Sequence, residues 1–482
     1  MTANDKSKRV MPRVLKGFRD YPPKEEIARQ NLITKTRAVY EKYGYLPLQT
    51  ASLEFAETLL GPHYTDDNLK ELFGFTGPED VNMALRYEFT VSLARYVAGN
   101  TQLPLPFRRY QYGNVWRVDK PGPGRFREFM QFDFDIAGTK SMLADSEIIT
   151  VMVDVMQTLG IKNFIVRYSN RKLINGLTEY AGIPGGKAAD VFRVIDKLEK
   201  QGREAVIQEL GPGRIDVSGD KIPGLNLTEK QIGLLTDFLD LAQSKSNNIL
   251  DETEKLLGEI KVSVEGIEEL KQIREYLAMM NSPEDKSRVD ITIVRGLGYY
   301  TGPVFETTLV DLPDYGSVFS GGRYDNLVSR FSGQNIPATG SSFGVDRMLA
   351  ALIALNAIEL TGATAEVLVT TMDKSRISEY IEMVNQIRDA GIRAELYMGE
   401  TRNINKQLKY ADRVGIPLAV IAGSNEFENG RVTIKDLRAG RELSKDVSDR
   451  EEWLKAENVQ ETIGRADMII HLQNLLQKHA GV

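Results

Sequence analysis

The run "FMQFDFDI", Phe129 to Ile136, alternates in character residue by residue, and this alternation constrains the fold more than any other stretch of the chain. Successive side chains of an extended strand point to opposite faces. Met130, Phe132, Phe134 and Ile136 therefore share one face, and Phe129, Gln131, Asp133 and Asp135 share the other. The first face demands a core. The second offers an aromatic ring, an amide and two carboxyls in a row. Upstream, "FRRYQYGNVWRV" has the same strand character, and the intervening "DKPGPG" carries prolines and glycines that suit only a loop. The expected local structure is a long antiparallel hairpin over about Phe107 to Gly138. Its polar face is either solvated or turned to a ligand. Acidic and amide residues at alternate strand positions are poor choices for solvation alone.

Around the hairpin the pattern changes several times. A helix is expected from about Lys24 to Tyr43, with Ala28, Leu32, Val39 and Tyr43 on one side and Gly44 as its stop. From about Asn163 to Asp290 helical periodicity dominates, broken by "GPGRIDVSGDKIPG", which reads as a mostly helical insertion. Strand signals return at "VDITIV" and "GSVFSGG", followed by a helix from about Ser341 to Ala357. After the linker-like "LTGATAE", strands and helices alternate. "EVLVTT", "IRAELYM", "PLAVIAG" and "GRVTIKDL" read as strands, and Ser375 to Ala390 and "NINKQLKYADRVG" as helices. The first of these helices places Ile377, Ile381, Val384 and Ile387 on one face, with a cap at Ser375 and a stop at Gly391. Such alternation predicts a small three-layer α/β domain, and a helical tail is expected from about Arg450.

A chain of 482 residues exceeds one ordinary core, so two to four domains are expected. No apolar run approaches the ~18 residues of a membrane span, and the opening "MTANDKSKRV" lacks the apolar centre of a secretory signal. The absence of cysteine excludes disulfides, thiol catalysis and cysteine-bound zinc, and it suits a reducing cytosol. His63, His471 and His479 are too scattered for a histidine metal site or triad. The net charge of −6 neither indicates nor excludes a nucleic-acid partner, because phosphates respond to local basic surface.

Several clusters suggest chemistry. Arg117 follows Trp116 just before the loop, and "DKPGPGRFRE" adds Lys120, Arg125 and Arg127 beside Phe126 and Phe129. Cations interleaved with aromatics suit a ligand that carries both phosphate and a base. A single arginine of this kind is otherwise an ordinary surface residue. In the helix after "ATGSSFG", Val345, Met348, Leu349 and Leu352 form the buried stripe. At about 100° per residue, Arg347 lies roughly 150° from the centre of that stripe, facing solvent or a ligand. "RGLGYYTG", Arg295 to Gly302, and "GSVFSGGRYDNL" combine glycines with tyrosines, which allows the backbone to approach a ligand or simply to turn. Neither has the G-x-G-x-x-G or Walker spacing, so any bound ATP sits on another scaffold.

Taken in order, "LKGFRDYPP", "LRYEFT", the hairpin with "QFDFDIAG", "RGLGYYTGPVFE", "GSVFSGGRYDNL" and "GSSFGVDRML" resemble the histidyl-tRNA synthetase family, a class II aminoacyl-tRNA synthetase family, over nearly the whole chain. The resemblance implies an α+β fold. A class II antiparallel-sheet catalytic domain would occupy residues 1–162 and 290–358, around a helical insertion at 163–289. An anticodon-binding α/β domain would follow at 362–449, and a helical tail at 450–482. It implies that Arg295 and Arg117 are catalytic, Arg295 touching the histidine carboxylate and the α-phosphate it attacks, and Arg117 binding that phosphate. Tyr300 and Asp135 would read the imidazole, with Tyr299, Tyr324 and Phe89 around the amino acid. Glu88, Thr90 and Gln131 would hold the α-amino group. Phe129 would stack on adenine, and Arg125 and Arg347 would clamp the outer phosphates. ATP as a substrate, Mg²⁺ bridging its phosphates, L-histidine, tRNA(His), a homodimer and a cytoplasmic setting without membrane contact complete the expectation. The chain departs from the pattern at Gly298, where an aspartate is usual, at Ala51, where a proline is usual, and in the loop "KPGPGRFRE".

The competing expectation is a synthetase-like regulatory subunit that binds histidine and controls its biosynthesis. Such proteins usually lack the terminal α/β module and several of the arginines, and this chain has both.

Overall fold

The computed structural model describes residues 10–122, 124–195, 197–215, 219–243, 248–293, 299–358, 360–439 and 460–480. The chain divides into two compact units: residues up to 20 together with 31–357, and residues 21–30 together with those from 358 onward.

The first unit opens with the helix Pro23–Lys42, whose later part belongs to it, and Gly44 (φ +77°) turns the chain out of that helix. β1 (Leu46–Pro47) is an edge strand. β2 (Leu53–Phe55), β3 (Gly74–Thr76) and β4 (Asn82–Leu85) form a small separate sheet. β5 (Phe107–Trp116) and β6 (Glu128–Ala137) are the expected long hairpin. β7 (Phe164–Asn170) follows the buried helix Met142–Thr158, and β8 (Gly213–Ile215) and β9 (Lys221–Pro223) pair only with each other. β10 (Ser287–Val289), β11 (Pro303–Leu309), β12 (Ser317–Arg323) and β13 (Ala338–Gly344) complete the main sheet. Its strand order is β1-β5-β6-β13-β12-β11-β7-β10, antiparallel except for the two edge pairs β1–β5 and β7–β10.

The apolar side of β6 packs as its alternation requires. Phe132 and Phe134 are fully buried, and the Tyr40 ring lies 4.8 Å and 4.5 Å from theirs. The other side carries the polar row.

Two sequence expectations are corrected in this unit. Within "VDITIV", Asp290 to Ile293 is not strand, because Asp290 Oδ1 accepts from Thr292 N (3.1 Å) and Thr292 Oγ1 (2.6 Å) and folds the chain into a turn. The segment from Ser341 to Gly344 is strand, and the helix begins only at Val345 and ends at Ala354. Small side chains let β13 slip between β6 and β12. A Cβ on Gly340 would lie 2.0 Å from Asp135 Oδ1, so only glycine fits there. The mostly helical stretch expected from Asn163 opens with β7, whose Val166 and Tyr168 are buried in the sheet, and its helices run from Arg171 to Met279.

In the second unit, β14 (Val367–Val369), β15 (Ala394–Leu396), β16 (Leu418–Ile421), β17 (Arg431–Asp436) and β18 (Gln460–Gly464) form one sheet in the order β15-β14-β16-β17-β18. Val367, Val369, Leu418 and Val420 face one cluster, with residues of helices Ile377–Asp389 and Met468–Ala480. Leu368 and Ala419 face the other, with Ala411 of helix Ile404–Val414. The unit is therefore three-layered. The buried face of the first helix is Tyr380, Met383, Val384 and Ile387. Ile381 points outward, and Asp373 caps the preceding turn by accepting from Ser375 N at 2.8 Å. The tail expected to be helical from Arg450 has its first part outside the described residues, and from Gln460 it supplies strand β18 before the last helix.

Candidate active site

The site follows from register. On β5 and β6, Arg109 faces Asp135, Gln111 faces Asp133, Gly113 faces Gln131 and Val115 faces Phe129. On the other flank of β6, Gly340 faces Asp135, Ser342 faces Asp133 and Gly344 faces Gln131. One sheet face thus presents a polar row between small neighbours, leaving room above it. That room is a cavity of about 730 Å³.

Glu88, Thr90, Arg117, Arg125, Phe129, Gln131, Tyr299, Tyr300 and Arg347 line the cavity. Glu88 is fixed at the start of helix Thr90–Gly99, where its carboxylate accepts from Thr90 N (2.6 Å) and Val91 N (2.7 Å) and from Tyr299 OH (3.3 Å). A negative group at a helix N-terminus is favoured by the unpaired N–H groups there. Arg117 donates from Nε to Tyr87 O (3.0 Å), and its guanidinium carbon lies 5.1 Å from the centre of the Phe129 ring. Arg347 donates from Nη1 to Ser317 O (2.5 Å). Gln131 Nε2 donates to Ser342 Oγ (2.6 Å), whereas its buried Oε1 has no hydrogen-bond partner.

Asp135, Tyr324 and Phe89 lie behind this wall. Tyr324 OH donates to Asp135 Oδ1 (2.5 Å), and Arg109 Nη2 is 2.8 Å from Asp135 Oδ2. Arg109 meets that carboxylate as a charge rather than through an aligned hydrogen bond. Phe89 is fully buried beneath Arg86, whose guanidinium carbon is 4.6 Å from its ring centre. Arg295 and Gly298 fall outside the described residues.

Burial, reinforced by Glu88 and the neighbouring phenol or aspartates, pushes the hydroxyls of Tyr299 and Tyr300 far above their ordinary range, so both remain proton donors. Burial likewise pushes Asp135 up, against the opposing pull of Arg109 and Tyr324. The Asp133 carboxyl, which also lines the cavity, is pushed up to about 8.

Sequence reasoning did not single out Arg109, Ser342 or Asp133 as site residues. Asp133 was on the right strand face. The signal for Arg109 was the hairpin register, which places it across from Asp135.

A site with arginines and an aromatic ring at one part, and carboxyls, an amide and phenols at another, is suited to a phosphate-bearing nucleotide beside a small polar cation. On a mainly antiparallel sheet, with a separate α/β unit, it defines the class II aminoacyl-tRNA synthetases with an anticodon-binding domain. Residues 17–348 match the family described as histidyl-tRNA synthetase, and residues 366–457 match the anticodon binding domain. The chain is 42% identical over 501 residues to a histidine–tRNA ligase of Dinoroseobacter shibae, covering 100% of each chain. It is 41% identical over 499 residues to one of Ruegeria pomeroyi, again covering 100% of each. A solved histidyl-tRNA synthetase from Nostoc sp. PCC 7120 is 27% identical with a TM-score of 0.80, covering 97% of this chain and 100% of that one. The chain belongs to the histidyl-tRNA synthetase family.

Proposed function

We propose that the cavity over β6 is where L-histidine and ATP are brought together for the family's reaction. That reaction is two-step: ATP and histidine give histidyl-adenylate and pyrophosphate, and the histidyl group then passes to the 3′-terminal adenosine of tRNA(His). The observation that carries the reading is the sharing of one cavity by Arg117, Arg125, Arg347 and Phe129 with Glu88, Gln131 and Tyr300.

A histidine carboxylate oxygen attacks the α-phosphorus. The bond from that phosphorus to the bridging oxygen breaks, and pyrophosphate leaves with the electron pair. No covalent enzyme intermediate is needed, so alignment and fixed positive charge do most of the work. Arg117, permanently charged and held by Tyr87 O, steadies the α-phosphate, a task the family resemblance also gives to Arg295. Phe129 stacks on adenine, and Arg125 and Arg347 hold the outer phosphates. Glu88, Thr90 and Gln131 receive the α-amino group. Tyr299 and Tyr300 close the amino-acid end, with Phe89 beneath. Tyr300 and the Asp135–Tyr324 pair select the imidazole, whose two ring nitrogens require two partners.

Asp119 and Asp314 supply carboxylate oxygens on the cavity wall, and the described residues contain no cluster of three metal-ligating side chains. This donor set fits Mg²⁺ held mainly by phosphate oxygens and water, with those two carboxylates beyond it, where it would neutralise phosphate charge.

Residues 362–449, within the second unit, would read the anticodon, while 1–162 and 290–358 would form the catalytic body around the mostly helical 163–289. A homodimer is supported by the exposed apolar side chains Leu46, Leu53, Phe55 and Phe75 on the edge strand and the small sheet. A cytoplasmic setting is consistent with the lack of cysteine and with the finding that no helix among the described residues is long and apolar enough to cross a membrane. The test is histidine-dependent exchange of labelled pyrophosphate into ATP. Exchange with histidine and Mg²⁺ is expected, and its absence would contradict the reading.

A further inference from the structure

Asp133 has no part in the assignments above, yet it lines the cavity, is only 3% exposed, and leaves Oδ1 without a hydrogen-bond partner. The same is true of Gln131 Oε1, two residues earlier on the same strand face. A buried acceptor left unmatched is costly, and native proteins seldom leave two on one wall unless a ligand supplies the donors. Glu88 supplies a third acceptor on that wall and is near enough for its charge to act on Asp133. An ammonium group has three donors and a positive charge, which matches two carboxyls and an amide oxygen.

We propose that Asp133 binds the α-ammonium group of the amino-acid substrate, sharing its N–H donors with Glu88 and Gln131. The proposal rests on the assignment of this cavity to histidine.

The surroundings of Asp133 explain why a cation is wanted. The Arg109 guanidinium from β5 opposes the burial of this carboxyl, while Asp135 on β6 and Glu88 add negative charge. The hydroxyl of Ser342 on β13 also stabilises the carboxylate form. Arg86, Tyr300 and, from the helix beneath the sheet, Tyr40 complete the titratable groups that feel its charge. Desolvation dominates and raises the carboxyl to about 8. An arriving ammonium supplies the missing positive charge, so below that pH the carboxyl loses a proton as substrate binds. Binding therefore tightens as pH rises toward about 8.

The experiment uses the full-length protein in pyrophosphate exchange, with Asp133→Asn and two competitive inhibitors. Histidinol keeps the amine, and imidazolepropionate lacks it. D133N is expected to raise the histidine KM and the histidinol inhibition constant roughly tenfold or more, the loss of one charge-assisted bond. The ATP KM and the imidazolepropionate constant should stay within about twofold, and the rise of histidine affinity toward about pH 8 should flatten. Equal losses for both inhibitors, or none, would overturn the proposal, because a merely structural carboxyl does not distinguish the two. Should D133N fail to fold, calorimetry of histidinol binding to the wild-type protein near pH 7.5, in buffers of different ionisation enthalpy, decides the matter. Net proton release is expected, and none would overturn the proposal. If wild-type protein shows no histidine-dependent exchange, the cavity assignment itself falls. If exchange is intact and D133N leaves the histidine KM unmoved, only the role of Asp133 falls.

Discussion

Arg109 and Asp135 face each other across neighbouring strands with Nη2 2.8 Å from Oδ2, and both are buried. One guanidinium thus stands between Asp135, behind the site wall, and Asp133, which lines the cavity. Removing one partner of such a pair leaves an uncompensated charge away from water. Arg109→Met is expected to destabilise the protein by about 3–5 kcal/mol, read from urea denaturation. A loss below about 1 kcal/mol, the scale of an exposed pair, would show that the pair is not buried as described.

Asp133 makes stability depend on pH in a set direction. Its folded-state value, about 8, lies above the ordinary 3.8, so the native protein holds a proton that the unfolded chain releases. Stability from this group is therefore fully present below about pH 4 and is lost as pH rises through about 8. The melting temperature of D133N relative to wild type should climb across that window and level off above it. A constant difference would contradict the assignment.

How much of this was legible beforehand differs residue by residue. Alternation in "FMQFDFDI" was enough to place Phe129, Gln131 and Asp133 on one face, because strand parity is a local property. Arg109 escaped notice because its partner is set by the hairpin register, a non-local quantity. The helix expected from Ser341 takes in the end of β13 because the apolar spacing of Val345, Met348 and Leu349 gives no sign of where the helix starts. The small residues before it make sense only between β6 and β12. "VDITIV" misled for the opposite reason: its composition is that of a strand, but the Asp290 carboxylate captures the Thr292 N–H and ends the ladder.

Gly340 is a steric requirement. Besides Asp135 Oδ1 at 2.0 Å, a Cβ there would meet Phe134 O at 2.7 Å. Gly340→Ala should cost about 1–3 kcal/mol through overpacking, and by displacing Asp135 it should raise the histidine KM more than the ATP KM. Unchanged histidine kinetics in a destabilised variant would separate the strand's packing from selection of the amino acid.

The guanidinium groups should act on the barrier more than on stability. Arg117→Ala is expected to slow adenylate formation by roughly 10²–10³-fold, measured by single-turnover mixing, with the melting temperature little changed. Arg295→Ala should show a loss of the same order. Near-normal rates in either variant would remove that residue from the catalytic set.

The most direct measurement is a crystal structure with a non-hydrolysable histidyl-adenylate analogue. The phosphate-mimicking group should lie against Arg117, the adenine on Phe129, and the ammonium among Glu88, Gln131 and Asp133. An analogue bound outside the cavity over β6, or bound there with its phosphate mimic away from Arg117, would contradict the account.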